Sequence, residues 1–301
     1  MQPNTTPDAA RTGLLMVMLA AVLWGTGNAV ARTIYDLADT NAFSVAFLRM
    51  ALSVPALLLV CGITLGRRMW SLQRLDLPYM LAAGALVALY QVSFYAALPK
   101  VGVAIATVVA LCSAPVIVAA LSALLLRELP SGTTFIALTA AVIGTALLIN
   151  VQPSVQRPEV LGGVLLALLA GTLYAINTLV GRKLGSGNRV HPLQTTTIGF
   201  LFGALILFGI ALPMGLVLAY PATGWLRLAY LGVIPTAVGY TLFFTGMRTT
   251  TATVASIATL MEPLTSTLIA VLVLHESMSP QAIVGSGLLI LAMLLLLVRR
   301  R

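Results

Sequence analysis

GLLMVMLAAVLWGTGNAVAR, residues 13–32, returns later in the chain as GVLLALLAGTLYAINTLVGR, residues 163–182. At an offset of 150, Gly13 meets Gly163, Leu23 meets Leu173, Trp24 meets Tyr174 and Arg32 meets Arg182. Each stretch is apolar over about the 20 residues that carry a helix through a hydrocarbon core roughly 30 Å thick. Neither has the strict alternation of a barrel strand. A second pair follows at an offset of 148: AIATVVALCSAPVIVAALSALLLRE (104–128) with ATVASIATLMEPLTSTLIAVLVLHE (252–276). There Ala110 meets Ala258, Pro115 meets Pro263 and Glu128 meets Glu276. Apolar helices often resemble one another, but the ordered reuse of Trp/Tyr, Pro and a terminal Glu points to duplication.

The rest of the chain fits this reading. Of 301 residues, 59% are hydrophobic and 8% charged, with a mean hydropathy of +1.03. A soluble protein of this size needs a far more charged exterior. Ten apolar spans are predicted, at 12–33, 41–65, 77–98, 103–126, 132–149, 160–182, 193–218, 225–247, 251–274 and 280–298. Short polar connectors join them, and NVQPSVQRPEV (150–160), with two prolines, reads as a linker between halves. AVA at 29–31 resembles a signal-peptide cleavage site, but the repeat needs the first span.

The net charge of +9 reads as topology. With the amino terminus inside, twelve cations fall on the cytoplasmic side: Arg11, Arg67, Arg68, Arg74, Arg127, Arg182, Lys183, Arg189, Arg248 and Arg299 to Arg301. Four fall outside: Arg32, Lys100, Arg157 and Arg227. The positive-inside rule therefore predicts two cytoplasmic termini. No basic patch sits on a soluble module, so nucleic acid is not an expected partner. Cys61 and Cys112 lie within spans and read as free thiols, with no disulfide framework or metal spacing. No Walker loop or other cofactor motif occurs, and no enzyme activity, metal or cofactor is expected.

The repeat divides the chain into 1–150 and 151–301, with five spans each. Because five is odd, the second copy is predicted upside down relative to the first. Inverted repeats of this kind enclose substrate sites near the midplane of many secondary transporters. The rival reading is a duplicated scaffold without transport. The expected fold is thus all-α and integral to the membrane, with ten helices as two inverted five-helix repeats around a central cavity.

Several segments resemble the EamA-type proteins of the drug/metabolite transporter superfamily. They are AAVLWGTGN (20–28), AFLRMALS (46–53), FYAAL (94–98), APVIVAALSALLLRE (114–128) and MEPLTSTLIAVLVLHE (261–276). The resemblance spans nearly the whole chain in order. It implies two inverted five-helix repeats, cytoplasmic termini and transport of small organic metabolites. Within that group the chain is most similar to YddG-type bacterial exporters of aromatic and neutral amino acids.

Glu262 sits mid-span with Pro263 behind it, and Arg49 is the other charge well inside a span. Such groups face a cavity or a partner. Glu262 lies roughly 16 Å from the cytoplasmic end of its span and Arg49 roughly 12 Å from the opposite end of its own. In a core about 30 Å thick these depths permit a pair. Whether Glu262 serves substrate or proton, or is a structural partner of Arg49, stays open at this point. Trp24 and Asn28 share a face at i, i+4, and Tyr174 and Thr178 occupy the matching places, with Asn177 beside them. Tyr90, Gln91, Tyr95 and Tyr240 add aromatic and polar surface. Together with Glu262 these are the candidate cavity residues, aromatic packing being the alternative. Tyr79, Trp225 and Tyr230 read as interfacial belt residues. Pro115, Pro235 and Pro263 interrupt three spans and are candidate hinges.

The sequence thus predicts a monomeric bacterial inner-membrane exporter whose partners are the lipid bilayer and a small-molecule substrate, an amino acid. The alternative is another small-molecule class on the same scaffold: cationic drugs, sugar derivatives or nucleotide derivatives.

Overall fold

The structure is a computed structural model and describes residues 7–70, 76–149, 160–186, 191–273 and 279–298. Most of the linker, the 150–159 segment, lies outside the described residues, as do His275, Glu276 and Arg299 to Arg301. Among the described residues no strand forms. Eleven α-helices follow in order: α1 Pro7–Tyr35, α2 Ala42–Leu65, α3 Leu77–Leu121, α4 Gly132–Ile149, α5 Val160–Ser186, α6 Pro192–Ala211, α7 Ala222–Leu231, α8 Gly239–Gly246, α9 Ala252–Ala258, α10 Met261–Leu272 and α11 Pro280–Val298.

Helices and spans are not one to one. The helical run α3 has 45 residues, and a straight helix of that length would reach about 68 Å. It does not run straight. Lys183 Nζ donates to Tyr79 OH at 2.7 Å, the Tyr90 and Tyr174 rings are 5.8 Å apart, and Val101 lies against Gly163. That half of α3 is antiparallel to α5. Yet Ala110 and Ser113 lie against Gly171, so the other half runs parallel to α5. The chain must reverse between Val101 and Ile105, just beyond Pro99. α3 therefore supplies two spans, Leu77–Val101 and Ile105–Leu126.

Two other spans are interrupted. α7 and α8 are joined by a π-turn, Gly232–Val238, and form one span, Ala222–Gly246. α9 and α10 form another, broken at Thr259 and Leu260. Nine described helical spans are long and apolar enough to cross a membrane, and Gly132–Leu147 is a shorter apolar one. The seventh span is shorter than its sequence suggests. It stops at Ala211, where Pro213 disfavours helix at the residue before it and Gly215 takes φ +78°.

The packing treats the two halves alike. α1 packs on α8 and α10, and α5 packs on both limbs of α3; α2 packs on α6, and α4 on α11. Exchanging the halves leaves this scheme unchanged. Gly13, at the start of α1, lies against Gly246 and Thr249, while Arg182, at the end of α5, bonds Met247 O. The equivalent helices α1 and α5 therefore run in opposite directions past the same turn. Glycines set the closest crossings, as expected where lipid supplies no hydrophobic drive and backbone proximity must supply the attraction. A Cβ on Gly84 would lie 1.8 Å from Gly199 O, which brings α3 against α6 backbone to backbone.

Candidate functional site

The site is built on two proline breaks. Pro235 cannot donate its share of helix hydrogen bonds, and the chain widens into a π-turn around it. The exposed carbonyls are taken by side chains. Thr236 Oγ1 donates to Leu231 O at 2.7 Å, and Trp24 Nε1 donates to Pro235 O at 2.9 Å. Gly239 admits the indole, because a Cβ there would stand 2.8 Å from Trp24 Nε1.

Pro263 acts on the span α9–α10. It has no N–H for Thr259 O, and Glu262 N donates to that carbonyl instead, at 3.0 Å. The helix restarts at Met261, which places Glu262 in the first turn of α10. The positive end of the helix dipole favours a carboxylate there. Glu262 Oε1 accepts from Asn28 Nδ2 at 2.7 Å. α1 comes this close because Gly25 lies on the break, where a Cβ would meet Glu262 O at 2.7 Å. Ser266 Oγ, one turn on, donates to Gly25 O at 3.2 Å.

Arg49 enters from α2. Gly232 allows the approach, since a Cβ there would lie 3.0 Å from Arg49 O. Tyr95, Tyr240, Tyr90 and Glu262 all lie within electrostatic reach of the Arg49 guanidinium. Arg49 Nε is buried and has no hydrogen-bond acceptor among the described residues. No direct ion pair joins it to Glu262 among those residues; the carboxylate is held by Asn28. Asn28, Arg49, Tyr90, Tyr95, Tyr174 and Glu262 all keep accessible surface. They come from α1, α2, α3, α5 and α10, so both halves contribute.

Aromatic rings close the rest. Tyr90 stacks toward Tyr174 at 5.8 Å and Phe94 at 6.3 Å, and Phe94 meets Tyr95 at 5.8 Å. Tyr240 lies 4.8 Å from both Trp24 and Phe200. Trp24 and Tyr240 are themselves buried, at 8% and 4% exposure. They brace the π-turn from behind and present little surface to the centre. Gln91 is buried and its Nε2 points back to Val87 O at 3.4 Å. Asn177 is buried with both amide atoms unpartnered among the described residues. Pro115 lies inside α3, which continues through it, whereas Pro235 and Pro263 mark discontinuities. Phe43, whose ring meets Tyr95 edge-on at 6.4 Å, Phe94 and Phe200 are absent from the residues the sequence singles out. Phe94 had a signal, being four residues after Tyr90 on the same helical face; Phe43 and Phe200 had none, because they arrive from other helices.

The profile of the EamA-like transporter family matches residues 11–150 and again 161–298. The chain is 30% identical over 284 residues to the uncharacterized transporter YwfM of Bacillus subtilis, with 94% of this chain and 92% of that protein covered. It is 27% identical to the uncharacterized inner membrane transporter YicL of Salmonella typhimurium, with 96% of each covered. A solved crystal structure with 18% sequence identity superimposes at a TM-score of 0.80, covering 97% of this chain and 96% of its own. At that identity the likeness concerns the fold.

Proposed function

The chain belongs to the EamA-like transporter family, and from that premise we propose that this multi-pass membrane protein exports amino acids with aromatic or neutral side chains. The observation that carries the reading is the pair of separated charges at the centre. Arg49 is a guanidinium inside a membrane protein without a described acceptor for its Nε, and an unpaired buried charge is costly. Glu262 has one oxygen on Asn28. A zwitterion offers a carboxylate to the first and an ammonium to the second. Tyr90, Tyr95 and Tyr174 then supply a wall for its side chain. A simple cation leaves Arg49 unmatched, an uncharged sugar leaves both charges unmatched, and a nucleotide derivative is repelled by Glu262.

Transport proceeds by alternating access between two inverted repeats, residues 1–150 and 151–301, in the bacterial inner membrane with both termini cytoplasmic. The opposite directions of α1 and α5 and the exchangeable packing scheme support that arrangement. The discontinuous spans α7–α8 and α9–α10 are the parts that bend. Both breaks lie beside the charged centre, as helix breaks do in many secondary transporters.

Counterflow in proteoliposomes tests the reading. Phenylalanine, leucine and their neutral relatives are expected to exchange. Analogues lacking either the amino or the carboxyl group should compete at least about tenfold more weakly, the equivalent of about 1.4 kcal/mol. Arg49→Met should abolish discrimination against the decarboxylated analogue, and Glu262→Gln that against the deaminated one. Exchange of a cationic drug with no amino-acid exchange would reject the proposal in favour of the alternative substrate class.

A further inference from the structure

Away from the charged centre, an ionic contact ties the halves together. Arg182, near the end of α5, is only 3% exposed. Its Nε and Nη2 donate to Glu128 Oε1 at 3.1 and 3.0 Å. Its Nη1 donates to Met247 O at 3.2 Å and reaches Arg248 O at 3.5 Å. Those two carbonyls end α8, where a helix presents its negative pole to a cation. One guanidinium thus joins α5, the end of α8 and the segment after α3.

The backbone around Glu128 is arranged for this contact. After α3 the chain passes through a π-turn, Ser122–Leu126, and Arg127 then takes φ +54°, a left-handed conformation unusual outside glycine. Glu128 N closes the turn on Ser122 O at 3.1 Å. Such local strain persists where the surroundings hold it, often at working sites. Here it turns Glu128 inward. Arg182 also shares a face with the centre. Tyr174, Thr178 and Arg182 follow at intervals of four on α5, so Arg182 stands over Tyr174 at about 12 Å along the helix. Thr178, between them, is fully buried. The Arg182–Glu128 contact, with Thr178 beneath it, therefore forms a plug between the tyrosine wall and the membrane face that the positive-inside rule assigns to the cytoplasm.

We propose that Arg182 and Glu128 form a latch between the two halves that shuts the cytoplasmic mouth of the transport pathway and opens in each cycle. The inference rests on the alternating-access reading above. A latch has to hold without being permanent, and this one is suited to that. The ion pair is buried, so losing one partner is strongly felt, yet Glu128 Oε2 accepts no hydrogen bond among the described residues. Opening to water satisfies that oxygen, and closing restores the two bonds to Oε1. The structure holds the latch shut.

The test places a reporter under the plug. In a background with Cys61 and Cys112 changed to alanine, Thr178→Cys is treated with a membrane-impermeant maleimide in inside-out and right-side-out vesicles. With Glu128 intact, labelling should be slow from both sides. Glu128→Gln should speed it at least about tenfold in inside-out vesicles only, as expected for a tenfold rise in a minor open population. Thr145→Cys, on a buried position of α4 away from the latch, should keep its rate, which separates opening from general loosening. If Glu128→Gln does not fold, Glu128→Asp keeps the charge, shortens the reach and should give a smaller acceleration. Equal Thr178→Cys rates in all folded variants, or acceleration from the other face, would overturn the latch. An absence of amino-acid exchange alongside the expected labelling would instead count against the substrate reading alone.

Discussion

Replacing Gly84 by alanine should be among the most damaging single-methyl additions in this protein. The new Cβ would lie 1.8 Å from Gly199 O, 2.4 Å from Gly199 C and 2.8 Å from Gly199 Cα. These are backbone atoms of α6 and cannot rotate away. A carbon–oxygen contact needs roughly 3.2 Å, so α3 and α6 must part by about 1.4 Å, more than enough to forfeit a large share of the local dispersion energy. Gly203 shares the crossing, since a Cβ there would be 2.8 Å from Gly84 O. Overpacking of one methylene usually costs about 1–3 kcal/mol, and Gly84→Ala is expected at or above the upper end. Gly287→Ala is the control, because nothing lies within 4 Å of a Cβ there; helix propensity predicts a change of at most about 1 kcal/mol in its favour. Thermal unfolding in detergent, read by a thiol-reactive dye on the free thiols Cys61 and Cys112, compares the two. If Gly84→Ala melts with the parent protein, α3 and α6 do not touch backbone to backbone.

Trp24→Phe keeps the ring stack but removes the donor to Pro235 O, a buried carbonyl freed by the π-turn; stability should fall by about 1–3 kcal/mol, measured by the same unfolding assay. His191 caps α6, its Nδ1 accepting from Leu193 N at 3.3 Å. Burial first, and the nearby Arg248 charge second, hold its imidazole below the ordinary value. The unfolded chain then binds more protons than the folded one, so stability should be intact above about pH 6.5 and decline as pH falls through the lower folded value. His191→Asn, which caps without titrating, should flatten that decline between pH 7.5 and 5 as judged by melting temperature. For topology, a thiol at Ser154 should be labelled from the periplasmic side and one at Ser186 should not; the reverse pattern would invert the assignment of the two faces.

Much of the architecture was legible because membrane spans obey one coarse requirement, enough apolar length, and because duplication printed it twice. The breaks at Pro235 and Pro263 were legible for a local reason: a residue without an N–H interrupts whatever helix holds it. What escaped was relational. Nothing local distinguishes Gly84, which meets Gly199 at van der Waals contact, from Gly287, which meets nothing. Trp24 and Tyr240 look like cavity aromatics in one dimension, and only the third dimension turns Trp24 to a carbonyl 211 residues away. Arg182 and Glu128 each stood out as repeated residues, yet alignment paired them with Arg32 and Glu276, not with each other. Repetition identifies equivalents and is silent about neighbours.

The reversal between Val101 and Ile105 bears on how the protein is made. A turn of so few residues, with Lys100 beside it, provides no hydrophilic loop to be threaded across on its own. The limbs Leu77–Val101 and Ile105–Leu126 are therefore expected to enter the lipid together, as a hairpin. Arg127 and the cations before Leu77 then anchor both ends of that hairpin on one side. Lengthening the turn with polar residues would let the limbs insert separately, and would make the orientation of the first half a matter of timing during synthesis.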